Sequence, residues 1–421
     1  MQLKNTIQEQ LYDITRSQEL NVLKKLIDRN SKLKIKANSV LITHVMPTAE
    51  AYIKLINTIF PISLVIAIPY SVNIETVSSL MSSGIAVFVP SSVSDAFIKA
   101  GPKIEEILIA NPSPLVVQEV GGYLAGYTEK LSIYGNFIGI VEDTNNGHWR
   151  YQQSGKHKVP VISMAQSPIK DIEDTVIGDS VVYSTERVFR EEFHSVIQGL
   201  QTAVIGYGKI GTSTATALKG REATVTVYDI DPAKCIRARF EGYRIAPISQ
   251  ILSESHLIIG CSGRTSVREE EISSIRHNAI LVSASAKNEE FDLTAFENCC
   301  SCEKLSKIIW RYTQSDGRLF YVLNEGTPIN FRDRSILGNI LDLIYSELFL
   351  CMVLLVNEDN LAGLCHSPSN IHTEVTQAWL EIYESAFCNC PNDKIWNFPE
   401  SLNRSLTYSF HLQTRKPVSG T

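Results

Sequence analysis

Ala203-Val204-Ile205-Gly206-Tyr207-Gly208-Lys209-Ile210-Gly211 is an apolar, β-branched run broken by three spaced glycines and continued by a helical pattern. Few folds accommodate such a segment other than as strand, glycine turn and helix. Gly206 permits the tight turn, Gly208 lets backbone approach a pyrophosphate, and Gly211 lets the helix pack close to the strand. Lys209 and Ile210 fall in the first turn of that helix, whose unpaired N–H groups and positive dipole end suit phosphates. Asp229 closes the next apolar run about 20 residues on, where an acid hydrogen-bonds an adenosine ribose diol and repels a 2′-phosphate. Asp231 is the alternative acid. The pattern predicts a Rossmann-type unit that binds NAD rather than NADP, over roughly residues 200–330. A Rossmann fold that holds another nucleotide, or none, is the competing reading.

The rest of the chain extends that unit into an α/β fold of two Rossmann-like domains. Short apolar runs at 39–43, 62–68, 85–89, 115–118, 137–141 and 159–164 alternate with helical segments, which predicts a largely parallel sheet covered on both faces. A second series follows at 202–206, 224–229, 256–261, 279–283 and 319–323. Helical periodicity marks the first ~35 residues, then 184–198, 336–356 and 373–387. The organisation predicted is a doubly wound, parallel NAD-binding sheet (183–333) inserted in a split substrate domain (1–182 and 334–400). The helices at 184–198 and 336–356 serve as hinges, and 401–421 forms a polar tail.

Composition narrows the function classes. A net charge of −6 over 421 residues leaves no global basic field for nucleic acid. No stretch reaches ~18 uninterrupted apolar residues, so no membrane span is predicted, and 348–356 reads as a buried helix. The N-terminal segment lacks the apolar core of a signal peptide. Nine cysteines, an odd number, point to free thiols in a reducing cytoplasm. Cys299, Cys300 and Cys302 cluster, as do Cys388 and Cys390, but neither group has paired zinc-ligand spacing. No metal is predicted.

Several blocks resemble the S-adenosylhomocysteine hydrolase family. They are Val204–Gly220 with Val227-Tyr228-Asp229-Ile230-Asp231-Pro232 and Glu241-Gly242-Tyr243; Val141-Glu142-Asp143-Thr144-Asn145-Asn146-Gly147, similar to the family's Glu-Glu-Thr-Thr-Thr-Gly stretch; and Ser167-Pro168-Ile169-Lys170 with Asp174 and Gly178, similar to its Lys-x-x-x-Asp segment. The resemblance implies tightly held NAD that oxidises a ribose 3′-hydroxyl of a nucleoside thioether, after which the 5′ thiol is eliminated, water adds and the ketone is reduced back. It implies that Lys170 and Asp174 meet the ribose hydroxyls, with the lysine assisting proton removal, and that Asp143 stands for a family glutamate near the ribose. It implies further that Thr144, Asn145 and Asn146 touch NAD from the other domain, that Asn330 binds the nicotinamide amide, and that Ser262 belongs to the cofactor set. An ordinary surface ion pair is the bland reading of Lys170 and Asp174.

The departures are as informative. The family's His-x-Thr motif is out of register at Thr43-His44, so His44 is either its substitute or a strand-end histidine. A family aspartate is replaced by Val120, beside Gly121 and Gly122. Two family histidines give way to Ser285-Ala286-Lys287 and Arg332-Asp333-Arg334-Ser335, and Lys287 or the two arginines could instead meet an anionic group. Three readings follow: a divergent hydrolase of a nucleoside-like substrate, an NAD-dependent dehydrogenase of another hydroxyl substrate, and a non-catalytic NAD-binding regulator. The family resemblance implies a homo-oligomer. The resemblance also implies a C-terminal lysine and tyrosine reaching a neighbouring subunit's cofactor, which this sequence does not match, so a homodimer built on the 336–356 helix is expected, or else a homotetramer.

Overall fold

A computed structural model describes residues 19–30, 36–285, 290–358 and 360–384. The predicted helices before residue 19, Lys287, Cys388, Cys390 and the tail at 401–421 lie outside these residues.

In chain order the helices are α1 (Asn21–Asn30), α2 (Pro47–Asn57), α3 (Ile74–Ser82), α4 (Val93–Ala110), α5 (Thr128–Leu131), α6 (Asn145–Ser154), α7 (Pro168–Glu192), α8 (Lys209–Gly220), α9 (Pro232–Phe240), α10 (Ile248–Glu254), α11 (Leu293–Cys299), α12 (Ile340–Asn357) and α13 (Ser369–Tyr383). The first sheet comprises β1 (Asn38–Val45), β2 (Ile62–Val72), β3 (Val87–Phe88), β4 (Leu115–Glu119), β5 (Phe137–Glu142), β6 (Val161–Ser163) and, far on in the chain, β15 (Leu364–His366). All its pairings are parallel, in the order β15-β6-β5-β4-β1-β2-β3. Strands such as β4 are buried on both faces, which is why they read as continuous apolar runs rather than alternations.

The second sheet comprises β7 (Gln201–Ile205), β8 (Thr224–Tyr228), β9 (Arg244–Ile245), β10 (Leu257–Gly260), β11 (Ala279–Ser283), β12 (Cys300–Lys304), β13 (Ile309–Gln314) and β14 (Leu319–Leu323), in the order β12-β13-β14-β11-β10-β7-β8-β9. One correction applies here. The sheet is not parallel throughout, because β12 and β13 add an antiparallel edge. Their sequence, rich in Cys, Glu, Lys and Arg, alternates weakly because β12 is mostly solvent-facing. Cys300 and Cys302 sit on that edge strand as free thiols.

In each sheet the chain builds outward from one strand and then returns to its other side. The reversal lies between β1 and β4 in the first sheet and between β7 and β10 in the second. At such a reversal the loops diverge and leave a crevice beyond the strand ends, the usual ligand position in open α/β sheets. The two crevices face each other.

The expected hinge at 184–198 belongs to a longer helix. α7 starts at Pro168, with Ser167 as N-cap accepting from the Ile169 N–H at 3.1 Å, and runs 25 residues without a break. Its Pro at the first helical position favours that start. α7 crosses α8 so closely that a Cβ on Gly178 would overlap Ser213 Oγ and the Thr214 nitrogen. Ser213 Oγ donates to the Asp174 carbonyl at 2.7 Å. The glycine thereby sets the lysine-bearing end of α7 beside the glycine turn.

α12 is long and apolar enough to cross a membrane, yet most of it is buried against α1, α13, β4, β5 and α7. Among the described residues, little of this helix is left on the surface. Two of its acids fix neighbours: Asp342 accepts from the Val22 and Leu23 N–H groups at 2.8 and 3.0 Å, and Glu347 accepts from Ser167 Oγ at 2.8 Å.

Candidate active site

A cavity of about 850 Å³ occupies the space between the two crevices. His44, Asp143, Lys170 and Asp174 line it from the first half, with Thr144, Asn145 and Asn146. Gly206, Gly208, Lys209, Ile210, Asp229, Ser262 and Asn330 line it from the second. Gly211 lies just behind, where a Cβ would overlap the Gly206 carbonyl.

The second-half wall fits a dinucleotide. Gly206 has φ +94°, and a Cβ there would come within 2.6 Å of Ser262 Cα, so turn and β10 loop touch backbone to backbone. Gly208 caps α8 with no side-chain hydrogen bond, and a Cβ on it would meet open space, leaving the helix N-terminus bare toward the cavity. Asp229 accepts from the Tyr207 N–H at 2.6 Å and the Asp231 N–H at 2.9 Å, which fixes its carboxylate at the strand end. Asn330, buried in a short 3₁₀ turn (Ile329–Asp333), donates to Ser335 Oγ at 3.1 Å. Its amide oxygen has no hydrogen-bond partner among the described residues. A buried orphan acceptor on a cavity wall calls for a donor, and a carboxamide N–H supplies one.

Three of the expected cofactor residues also make contacts within the protein. Lys209 Nζ reaches across to the Ala165 carbonyl at 3.1 Å and Asp171 at 2.5 Å, tying the halves together. Thr144 Oγ1 caps α6 through the Gly147 N–H at 3.0 Å and donates to Glu142 at 2.6 Å. Ser262 Oγ is engaged with the Arg264 carbonyl and Glu290. Asn146 remains at the seam, its Oδ1 lying 2.9 Å from where a Gly263 Cβ would be.

The chemistry-bearing wall centres on Lys170. Its Nζ lies 3.1 Å from Asp143 Oδ1 and hydrogen-bonds Glu173, all three being largely buried. The surrounding carboxylates hold the lysine well above its usual range despite a burial effect that pulls it down. Burial raises Asp174 and pushes Glu173 up to about 7. His44 ends β1, where its Nδ1 pairs with Ser71 Oγ and its ring packs 4.7 Å from Phe331 and 6.0 Å from Tyr70. Burial lowers the imidazole to about 4, so it is neutral at pH 7. The bland reading of Lys170 as a surface ion pair is excluded by its burial.

Pattern reading missed the acids that hold the walls. Glu142 accepts from the Gly121, Gly122 and Thr144 N–H groups at 3.0, 2.8 and 2.7 Å. Glu290, fully buried, gathers Gly263 N–H, Ser262, Ser266 and Ser285 under the β10 loop, and burial pushes it up to about 7. Glu142 lies inside the Val141–Gly147 block and was legible as its neighbour; Glu290 carried no local signal. Of the two candidate anion-binding arginines, Arg332 turns outward to Glu191 on α7. Arg334, in a left-handed conformation (φ +64°), lines the cavity.

Two facing crevices with a bare helix N-terminus on one wall and a buried lysine–carboxylate cluster on the other define a two-domain, NAD-binding α/β protein. Residues 179–335 match the family model described as the NAD binding domain of S-adenosyl-L-homocysteine hydrolase. An adenosylhomocysteinase from Thermotoga maritima is 26% identical over 326 residues, 74% of this chain and 78% of that protein. An S-inosyl-L-homocysteine hydrolase from Methanopyrus kandleri is 26% identical over 269 residues, and the match spans 62% of each chain. Among solved structures, D-lactate dehydrogenase of Escherichia coli has a TM-score of 0.39 at 14% identity, over 75% of this chain and 96% of that one. The chain is thus similar to the S-adenosylhomocysteine hydrolases over most of its length, and the family-model match falls on the half that carries the glycine turn.

Proposed function

We propose that this protein is an adenosylhomocysteinase-like enzyme that oxidises the ribose 3′-hydroxyl of a nucleoside thioether, or a related substrate, with elimination and hydrolysis at C5′. The observation that carries this reading is the position of Lys170, buried and carboxylate-bound, on the wall opposite the Gly206 turn and the orphaned Asn330 amide oxygen. NAD, when bound, would supply the hydride acceptor for such an oxidation. Gly206, Gly208, Asp229 and Asn330 would hold it, with Asn145 and Asn146 closing from the first half.

The chain's own residues do the rest. Lys170, flanked by Asp143 and Asp174, meets the hydroxyl and assists removal of its proton. Removal of the C4′ proton next to the new carbonyl needs a second base. Among the described residues lining the cavity, His44 is the one imidazole. Being neutral, it is competent as an acceptor. The phenylalanine and tyrosine rings about it shed water from that end of the site.

Thiol release from S-adenosylhomocysteine by the NAD-loaded protein is the test, with Lys170→Ala as control. Thiol appearing in the wild type and falling ~10²–10⁴-fold in the variant supports the reading. A second reading is favoured by the ion pairs Arg187–Asp333 and Arg332–Glu191, which occupy the segment where a family histidine is expected. In it the redox step alone operates, on another hydroxyl substrate. Reduced nicotinamide accumulating without thiol would select it, and NAD binding with no turnover of either kind would leave a regulatory role.

A further inference from the structure

Glu173 belongs to no part of the lysine–aspartate motif, yet it is the closest partner of Lys170. It sits one turn further along α7, buried, lines the same cavity and hydrogen-bonds the lysine directly. Around this one ammonium stand three carboxylates: Asp143 from the β5–α6 connection, and Glu173 and Asp174 from α7. Facing them are Tyr345 on α12, His44 at the end of β1, and Lys209 of α8, which offsets Asp174 and is itself paired with Asp171. One cation cannot balance three anions in a buried site, so the cluster holds an extra proton under mildly acidic conditions.

We infer that Glu173 is the proton acceptor behind Lys170. As the substrate O–H gives its proton to the lysine nitrogen, a lysine proton passes along the existing hydrogen bond to the Glu173 carboxylate. The substrate O–H and one lysine N–H break; a new lysine N–H and a glutamic acid O–H form. The carbon-bound hydrogen leaves with its electron pair to NAD, the oxidant, and the carbonyl forms. Lys170 is an ammonium before and after, which reconciles its strongly raised affinity for protons with its part in removing one. Glu173 acts through the lysine, and its affinity near neutrality matches the task. The reverse step returns the same proton to the alcohol.

This inference rests on the hydroxyl-oxidising reading, so its test has one arm that needs no turnover. Infrared difference titration of the NAD-loaded protein reads the carbonyl stretch of protonated carboxylic acids. A component that vanishes as pH rises through about 7 is expected in wild type, missing in Glu173→Gln and kept in Glu290→Gln. In Lys170→Met it moves to higher pH, because the neighbouring cation is gone. A titration unchanged by Glu173→Gln overturns the inference. In the second arm, reduction of bound NAD is followed by absorbance after substrate is mixed in. The wild-type rate falls below about pH 7, whereas Glu173→Gln is ~10²-fold slower and has lost that acid limb. Persistence of the limb also overturns it. If no protein reduces NAD, the functional reading fails, and the infrared arm alone still sustains or refutes Glu173 as the group that holds the proton.

Discussion

Asn330 shows how a single amide can report on a missing partner. Its nitrogen is anchored by Ser335 while its oxygen, buried, is left for a donor from the cavity. Asn330→Ala removes that acceptor and leaves a bound carboxamide N–H unmatched, at ~1–3 kcal/mol. NAD affinity measured by titration calorimetry is therefore expected to fall roughly 5- to 150-fold; an unchanged affinity would mean the oxygen faces something other than the nicotinamide. Glu290 gives a stability prediction with a definite sign. Burial raises its folded-state affinity for protons to about 7, above the ordinary carboxyl value of 4.5. The folded form thus keeps a proton that the unfolded chain has already lost. Stability is fully present below about 4.5 and declines as pH rises through about 7. Melting temperatures of the cofactor-free protein across that interval should fall with pH, less steeply in Glu290→Gln; equal slopes would refute the assignment.

The crossing of α7 over α8 is where sequence and structure can be compared most directly. Gly178 stood in the sequence as one letter of a resemblance, with no stated reason. The reason is steric, since a side chain there would enter Ser213 and Thr214. Gly178→Ala should destabilise the fold by ~1–3 kcal/mol through overpacking. The same substitution should weaken catalysis, because it shifts the helix end that carries Lys170. Urea unfolding and turnover together check this; a variant with native stability and rate would show that the crossing is free to adjust. The strands of both sheets were largely legible because buried parallel strands are continuous apolar runs. The β12–β13 edge was not, because charged, half-solvated strands carry little pattern. The glycine turn and Asp229 were readable since backbone geometry demands those residues at that spacing. Glu173 and Glu290 were not, since a buried acid is recognisable only once its surroundings are known. Lys209, Thr144 and Ser262 line the cavity, and their side chains also hold its wall, a second use that no sequence pattern announces.

Two sheets whose chain reversals face one another make one site from two halves. A ligand bound there protects both. At a hundredfold excess over its dissociation constant NAD should add ~2.7 kcal/mol to stability. Hydrogen exchange is expected to slow on NAD binding at 144–146 as well as at 206–211, 262–263 and 330. Slowing confined to residues after 200 would mean that the first half takes no part in holding the cofactor.

The facing reversals also bear on how such a protein can change over generations. The position of the cavity follows from strand order and from glycines that admit no side chain, and these are properties of the backbone path. The identity of the acids, the histidine and the arginine around it is a separate matter, open to exchange without disturbing that path. Inheritance can therefore preserve the place where a cofactor sits while substitution edits the reaction performed there, and a lineage can drift between chemistries without ever losing its fold.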